Sequence, residues 1–247
     1  DLIFINDLFP KDWVSFFIGR DTEYLKAPSD AVKAALYTPA VNVDVVYTPQ
    51  FDADRYINGE RISYYNSGLG RRAGQDAVTR TDQPDDIPED KEIAMRAHRN
   101  IRGYELALYY YRGFWKSPAG QDMTTGRAIF PELQVTGASI RGLIAGGVAN
   151  LEVGYKDSME DRGGDDPLVR NSEWRLLAGY EKDLKQVARD FTVGIQYYLE
   201  RMTDYSDYKK ALPPGMPEQD ENRHVFTLRL TKLLMQQNLT LSLFTYY

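Results

Sequence analysis

The stretch Phe191-Thr-Val-Gly-Ile-Gln-Tyr-Tyr-Leu-Glu200 alternates along its whole length. Phe191, Val193, Ile195, Tyr197 and Leu199 occupy one phase; Thr192, Gly194, Gln196, Tyr198 and Glu200 occupy the other. Successive strand side chains point to opposite faces, so such a segment has one apolar and one more polar face. A soluble sandwich produces the same pattern in one strand. Repetition of the pattern, with connections that alternate short and long, is characteristic of a transmembrane β-barrel. There, segments of about ten residues are joined by tight turns at one rim and longer loops at the other.

Strands are expected near 30–38, 41–49, 92–99, 103–113, 132–145, 148–157, 172–183, 190–202, 223–235 and 238–247, with 13–19 as one more. In 41–49, Val41, Val43, Val45 and Tyr47 oppose Asn42 and Asp44; in 103–113, Tyr104, Leu106, Leu108 and Tyr110 oppose Glu105, Ala107 and Tyr109. Leu151 and Val153 likewise oppose Glu152, and Trp174 and Leu176 oppose Arg175. Helical spacing fits these rows poorly. Short connections fall at Thr38-Pro39-Ala40, Asn100-Ile101-Arg102, Gly146-Gly147 and Gln236-Gln237-Asn238, with a slightly longer one from Leu184 to Asp190. Long polar connections cover 50–91, 114–131, 158–171 and 203–222. They are rich in Asp, Gly and Pro, the residues of turns and loops.

The fold class expected is therefore all-β: an antiparallel up-and-down transmembrane β-barrel with short periplasmic turns and long extracellular loops. Residues 1–247 would form a single domain of about ten or eleven strands. If the short turns are periplasmic, the strand 238–247 ends at the outer rim. Barrels of this kind close with both termini inside, and an open edge in lipid leaves backbone groups unpaired. The chain is thus expected to be an internal fragment of a larger barrel, truncated at both ends. A complete ten-stranded barrel is the alternative.

Composition supports the class without deciding it. There is no run of about 18 uncharged apolar residues, as a membrane helix would need. Aromatic residues make up 13%, 18 of them Tyr, which suits interfacial girdles or polysaccharide surfaces. With no cysteine, disulfides, thiolate metal sites and cysteine nucleophiles are excluded. A net charge of -6 without a basic stripe argues against nucleic acid.

Several stretches carry a family resemblance: Ile5-Asn-Asp-Leu-Phe-Pro-Lys-Asp-Trp13, Glu23-Tyr-Leu-Lys-Ala-Pro-Ser-Asp30, Asp44-Val-Val-Tyr-Thr-Pro-Gln-Phe51 and Leu233-Leu-Met-Gln-Gln-Asn-Leu-Thr240. Together they resemble an uncharacterised family of Gram-negative outer-membrane β-barrel porins, loosely akin to alginate-export channels. The resemblance spans most of the chain. It implies an outer-membrane location, and strands both before Asp1 and after Tyr247. It implies no catalytic residue and no substrate.

No enzyme is expected, and no catalytic, cofactor-binding or metal site is assigned. His98 is expected to line the lumen, and His224 to sit at the outer rim in phase with Phe226 and Leu228. Ser139 and Ser242 lack the context of a nucleophile elbow. Asp157-Ser-Met-Glu-Asp-Arg-Gly-Gly-Asp-Asp166 concentrates carboxylates, which reads as a solvated loop or a calcium site, although its spacing is not that of an EF-hand. Gly68-Leu-Gly70 and Gly142 to Gly146 are too weak for nucleotide or helix-packing motifs; within a strand, Gly marks a bend or a close approach. Trp13, Trp115, Tyr109, Tyr111 and Tyr198 are read as girdle or loop packing, or as sugar-stacking rings.

The pore-lining positions expected are Asp44, Arg96, Glu105, Glu152, Lys156, Arg175, Glu181, Glu200 and Arg229. They either set a transverse field in a water-filled lumen or pair off as salt bridges. The lipid-facing positions expected are Val43, Val45, Leu106, Leu108, Leu151, Val153, Leu176, Val193, Ile195, Leu228, Leu230 and Leu241. Loop 50–91, with Arg55, Arg61, Arg71, Arg72 and Arg80, is expected to fold in and narrow the barrel. These positions describe an outer-membrane channel for diffusion or export of small polar solutes or saccharides. Its partners would be outer-membrane lipid, lipopolysaccharide and the barrel assembly machinery. The alternatives are an adhesive or structural barrel with an occluded lumen, a barrel shell around an electron-transfer cytochrome, and a soluble β-sandwich.

Overall fold

A computed structural model describes residues 5–20, 22–66 and 69–247. Its strands are β1 (Val32–Tyr37), β2 (Asn42–Thr48), β3 (Tyr64–Asn66), β4 (Arg71–Ala73), β5 (Glu92–Ile101), β6 (Tyr104–Phe114), β7 (Gly120–Asp122), β8 (Arg127–Ile129), β9 (Glu132–Ile144), β10 (Gly147–Ser158), β11 (Glu173–Asp183), β12 (Phe191–Met202), β13 (Asn222–Leu234) and β14 (Leu239–Tyr246). Ten of them form one antiparallel sheet in the order β1-β2-β5-β6-β9-β10-β11-β12-β13-β14. Each pairs with the next sheet strand along the chain, so the meander is up-and-down throughout. The pairs β3–β4 and β7–β8 are small hairpins inside the long connections. Among the described residues β1 and β14 do not pair with each other, and the sheet is open.

The turns explain the register. Arg102 and Gly103 between β5 and β6, and Ala145 and Gly146 between β9 and β10, all have positive φ, between 51° and 86°. Two left-handed residues in succession make the two-residue hairpin whose twist matches that of the strands. The first turn therefore lies at 102–103 rather than 100–102, and the second at 145–146 rather than 146–147. A glycine in second place accepts φ > 0 without strain. In the first hairpin, Thr38 Oγ1 accepts the Val41 N–H at 3.0 Å and donates to the Val41 carbonyl at 2.6 Å.

Segment 13–19 is not a strand. Trp13–Phe17 is a short helix, α1, capped by Asp12, whose Oδ1 accepts the Ser15 N–H at 2.8 Å. A second helix, α2 (Tyr205–Ala211), lies in the connection after β12. Gly68 of Gly68-Leu-Gly70 lies outside the described residues.

Two buried clusters mark where the molecule packs most tightly. One joins Tyr111, Trp115, Leu133 and Val135, with Leu8 against them. The other joins Ile5, Leu177 and Tyr198, with Val225 against them. In both, a residue from the segment before β1 packs onto the sheet.

Candidate functional site

Directly opposed residues of an antiparallel pair project from the same face. Following the registers from β2 to β13 brings all nine charged positions onto one face. Asp44 opposes Arg96, Asn100 opposes Glu105, and Glu105 opposes Arg141. Ser139 opposes Glu152, Gly154 opposes Arg175, Arg175 opposes Glu200, and Gly194 opposes both Glu181 and Arg229. Lys156 shares the phase of Glu152 on β10. The twelve apolar positions, from Val43 on β2 to Leu241 on β14, all fall on the other face. His98 is on the charged face opposite Asn42, and His224 is on the apolar face opposite Leu199.

The two faces are inverted relative to a soluble sheet. Glu152 is 2% exposed and Lys156 7%, whereas Leu108 is 64% exposed and Ile195 52%. The apolar face also carries Tyr104 and Tyr110 on β6, Trp174 and Tyr180 on β11, and Phe191 and Tyr197 on β12. In each pair the rings are six positions apart, or about 20 Å along the strand at ~3.4 Å per residue. Neighbouring rings touch across strands: Tyr155 and Trp174, and Tyr197 and Phe226, each have centroids 4.9 Å apart. His224 accepts or donates a hydrogen bond at 2.9 Å to the Tyr197 hydroxyl, within this aromatic row.

The charges on the polar face form two groups. Near the short turns, Asp44 pairs with Lys33 at 3.1 Å and His98 at 3.5 Å, and Arg96 donates to Glu105 at 2.6 Å. Near the long connections, Glu200 binds Arg175 at 3.2 Å, Arg223 at 3.1 Å and Arg170 at 3.7 Å. Glu173 binds Arg170 at 2.9 Å and also pairs with Arg175. The Tyr198 hydroxyl donates to Glu200 at 2.6 Å. Burial works against the Arg170 charge, but Glu173 and Glu200 outweigh it and hold the guanidinium more firmly protonated than usual. Glu181 and Arg229 are exposed.

Trp115 stands at the centre of the second group. Its ring lies 5.1 Å from Lys156 Nζ, 4.8 Å from Arg170 Cζ and 6.0 Å from Arg175 Cζ. Its Nε1 donates to Ser158 Oγ at 3.3 Å. Tyr109, Tyr111 and Tyr198 also lie on the charged face, by register with Arg96, Val135 and Leu177. They are therefore not girdle rings. Tyr111 donates to Glu92 at 2.6 Å, and Tyr109 shares a hydrogen bond of 3.0 Å with Ser139.

The segment before β1 sits on this charged face. The Ile5 N–H donates to Glu152 Oε2 at 3.0 Å, and Asn6 Nδ2 reaches the same oxygen and the Val153 carbonyl at 3.5 Å. Two glycines, opposed in register, make room. A β-carbon at Gly137 would stand 1.8 Å from Asn6 Oδ1, and one at Gly154 would stand 2.7 Å from Ile5 Cγ2. Glycine at two facing strand positions of one phase was a legible signal of close approach.

Asp54 ties this segment to two loops. It accepts from the Lys11 N–H at 2.7 Å, the Trp13 indole at 3.1 Å and Ser117 Oγ at 2.7 Å. Phe51 packs edge-on against Phe114 and tilted against Phe130, and Lys116 pairs with Glu92 beside it. Burial pulls the Lys116 ammonium below its usual range, against the pull of Glu92, Asp54 and Asp52. Loop 50–91 thus packs at the rim with 114–131, where Thr81 also bridges to Ala128. Ile5 and Asn6, from the segment before β1, are seated on the charged face.

In the acidic loop, Asp161 accepts the Asp165 and Asp166 N–H groups at 3.0 and 3.2 Å, and Asp157 pairs with Arg162 at 3.0 Å. Among the described residues no group of three or more carboxylates and imidazoles is placed to hold a metal ion. Ser139 opposes Glu152 in register and shares its hydrogen bond with Tyr109, and Ser242 opposes Thr231. No helix among the described residues is long and apolar enough to cross a membrane, which says nothing about strands. The chain matches no family model, no curated protein and no solved structure.

Proposed function

We propose that the chain forms the wall of an outer-membrane β-barrel channel, with the charged face lining a lumen for small polar solutes or saccharides. The observation that carries this reading is the inversion of the sheet: Glu152, Lys156, Glu173 and Glu200 are covered on one face, while Leu108, Leu151, Ile195, Trp174 and Phe226 are bare on the other. In water that arrangement is costly, because exposed apolar area costs about 25 cal/mol per Å². In a bilayer the same face is solvated by hydrocarbon, and rings at both ends of the strands sit at the interfaces. The up-and-down order, with short turns at one rim and long loops at the other, supports the same reading.

The seat of Ile5 and Asn6 on Glu152 favours a second reading, in which the lumen is occluded and the long loops are the working parts of a structural or adhesive barrel.

Single-channel recording of the purified protein in a planar bilayer separates the two. Discrete conductance steps are expected for the channel. Silence from folded, heat-modifiable protein overturns it in favour of the occluded barrel. Partition into aqueous buffer without detergent overturns both.

A further inference from the structure

The carboxylates of the charged group around Trp115 are fully engaged. Glu173 serves Arg170 and Arg175, and Glu200 serves Arg170, Arg175 and Arg223. Lys156 is the one of these cations that makes no hydrogen bond or ion pair among the described residues. Its ammonium is buried on the polar face of β10 against the Trp115 ring; it opposes Glu173 in register and is attracted by Glu173 and Glu200, whose oxygens bond the arginines instead. Arg170 and Arg175 flank the same ring, so with Arg223 four cations meet Glu173, Glu200 and, four positions before Lys156 on the same face, Glu152, which accepts from the Ile5 N–H. Three N–H donors of an ammonium, buried without an acceptor, are expensive to hold. An indole face offsets part of that cost through its quadrupole, and fills no hydrogen bond.

We infer that Lys156, with Arg170 beside it, forms a binding site for an oxyanion: the carboxylate or sulfate group of a small solute. The site rests on the channel reading for its setting and names the class of solute that setting would take. An oxyanion supplies the acceptors Lys156 lacks and balances the excess positive charge, and charge-assisted bonds of this kind are the stronger ones. Arg170 gives the site its approach, since 40% of its side chain is exposed, against 14% for Arg175 and a buried Lys156. A neutral sugar offers no charge to either group. Trp115 is covered by the cations, so the site recognises charge and does not stack a ring.

The test uses Trp115 as its own reporter. In the W13F/W174F protein, folded in detergent, Trp115 is the remaining tryptophan. Titration with sodium glucuronate and with sodium sulfate is expected to change its emission saturably, while glucose leaves it unchanged. Which of the two anions binds tighter identifies carboxylate or sulfate as the recognised group. Replacing Lys156 by Gln or Met is expected to weaken binding about tenfold or more, the value of one charge-assisted bond. Lys156→Arg is expected to restore it. The site is overturned if neither anion gives a saturable change, if glucose gives the same one, or if the folded Gln and Met variants bind as before. Conductance of the same preparation is read separately. Steps without anion binding overturn the site and leave the channel, whereas binding without steps overturns the channel and leaves the site.

Discussion

Trp13 and Asp54, 41 positions apart, are joined by a hydrogen bond of 3.1 Å from the indole Nε1 to the carboxylate. Through the same carboxylate the Lys11 N–H and the Ser117 hydroxyl are bound, so three segments meet on one side chain. Asp54→Ala leaves those donors without an acceptor, at about 1–3 kcal/mol for each one that stays buried. Faster proteolytic cleavage within residues 7–20 is expected, with the sheet intact by circular dichroism. Asp54→Asn, which keeps an acceptor oxygen, should fall between.

Asp12 gives the same segment a pH dependence. Burial raises its carboxyl, but the Ser15 N–H and hydroxyl, then Arg55, outweigh burial and hold it below its ordinary 3.8. An acid whose folded pKa is depressed contributes stability that is present above the unfolded value and lost as pH falls through the folded one. The environment of Trp13 should therefore loosen in the acid range below the ordinary aspartate value. Its emission, read in a W115F/W174F protein, would change there. Asp12→Asn keeps the helix cap and should flatten the response; Asp12→Ala removes the cap as well, at about 1 kcal/mol.

Glu92 and Lys116 form a buried pair at the base of two loops. Glu92→Gln removes the ion-pair partner of the buried ammonium, leaving it Asp54, Asp52 and the Asp52 carbonyl, and is expected to destabilise by about 3 kcal/mol. The double variant Glu92→Gln/Lys116→Met removes both charges and should recover most of that loss. Equilibrium unfolding in urea with folded protein in lipid measures both. Equal destabilisation of the single and double variants would dismiss the pair.

The apolar face predicts its own asymmetry. Leu151 lies midway along β10 with its neighbour Glu152 on the opposite face. Leu151→Arg is expected to cost about 2–4 kcal/mol in a bilayer, as for lipid-facing strand positions near the midplane. Glu181→Arg, on the charged face and exposed, should change stability little. If the two substitutions cost the same in lipid, the assignment of faces to solvents fails.

The ten sheet strands and both of their faces were legible because alternation and register are one property: a slip by a single residue would turn every charge outward. The alternation of Leu106, Leu108 and Tyr110 with Glu105 and Tyr109 leaves no other pairing that keeps charges together. What escaped was local or very distant. Trp13, Ser15 and Phe17 alternate like a strand, yet Asp12 followed three positions later by Ser15 caps a helix, and Trp13, Phe16 and Phe17 have helical spacing. The hub at Asp54 and the indole of Trp115 among cations bring together loops whose approach no periodicity encodes. Arg170 was missed because it lies in a connection, outside the rows that alternation reads, whereas Glu173, in phase with Arg175 at the start of β11, was legible in its row.

The seat of the first described residues has a consequence in time. Ile5 docks against Glu152 on β10, Leu177 on β11 and Tyr198 on β12, more than 140 positions further along the chain. Contacts of such separation form late, because closing a long loop has to precede any gain from it. Ile5 and Asn6, made before the strands they dock on, are thus among the last to find their place, and until they do, Glu152 and the glycine groove beside it stand open to whatever else can reach them.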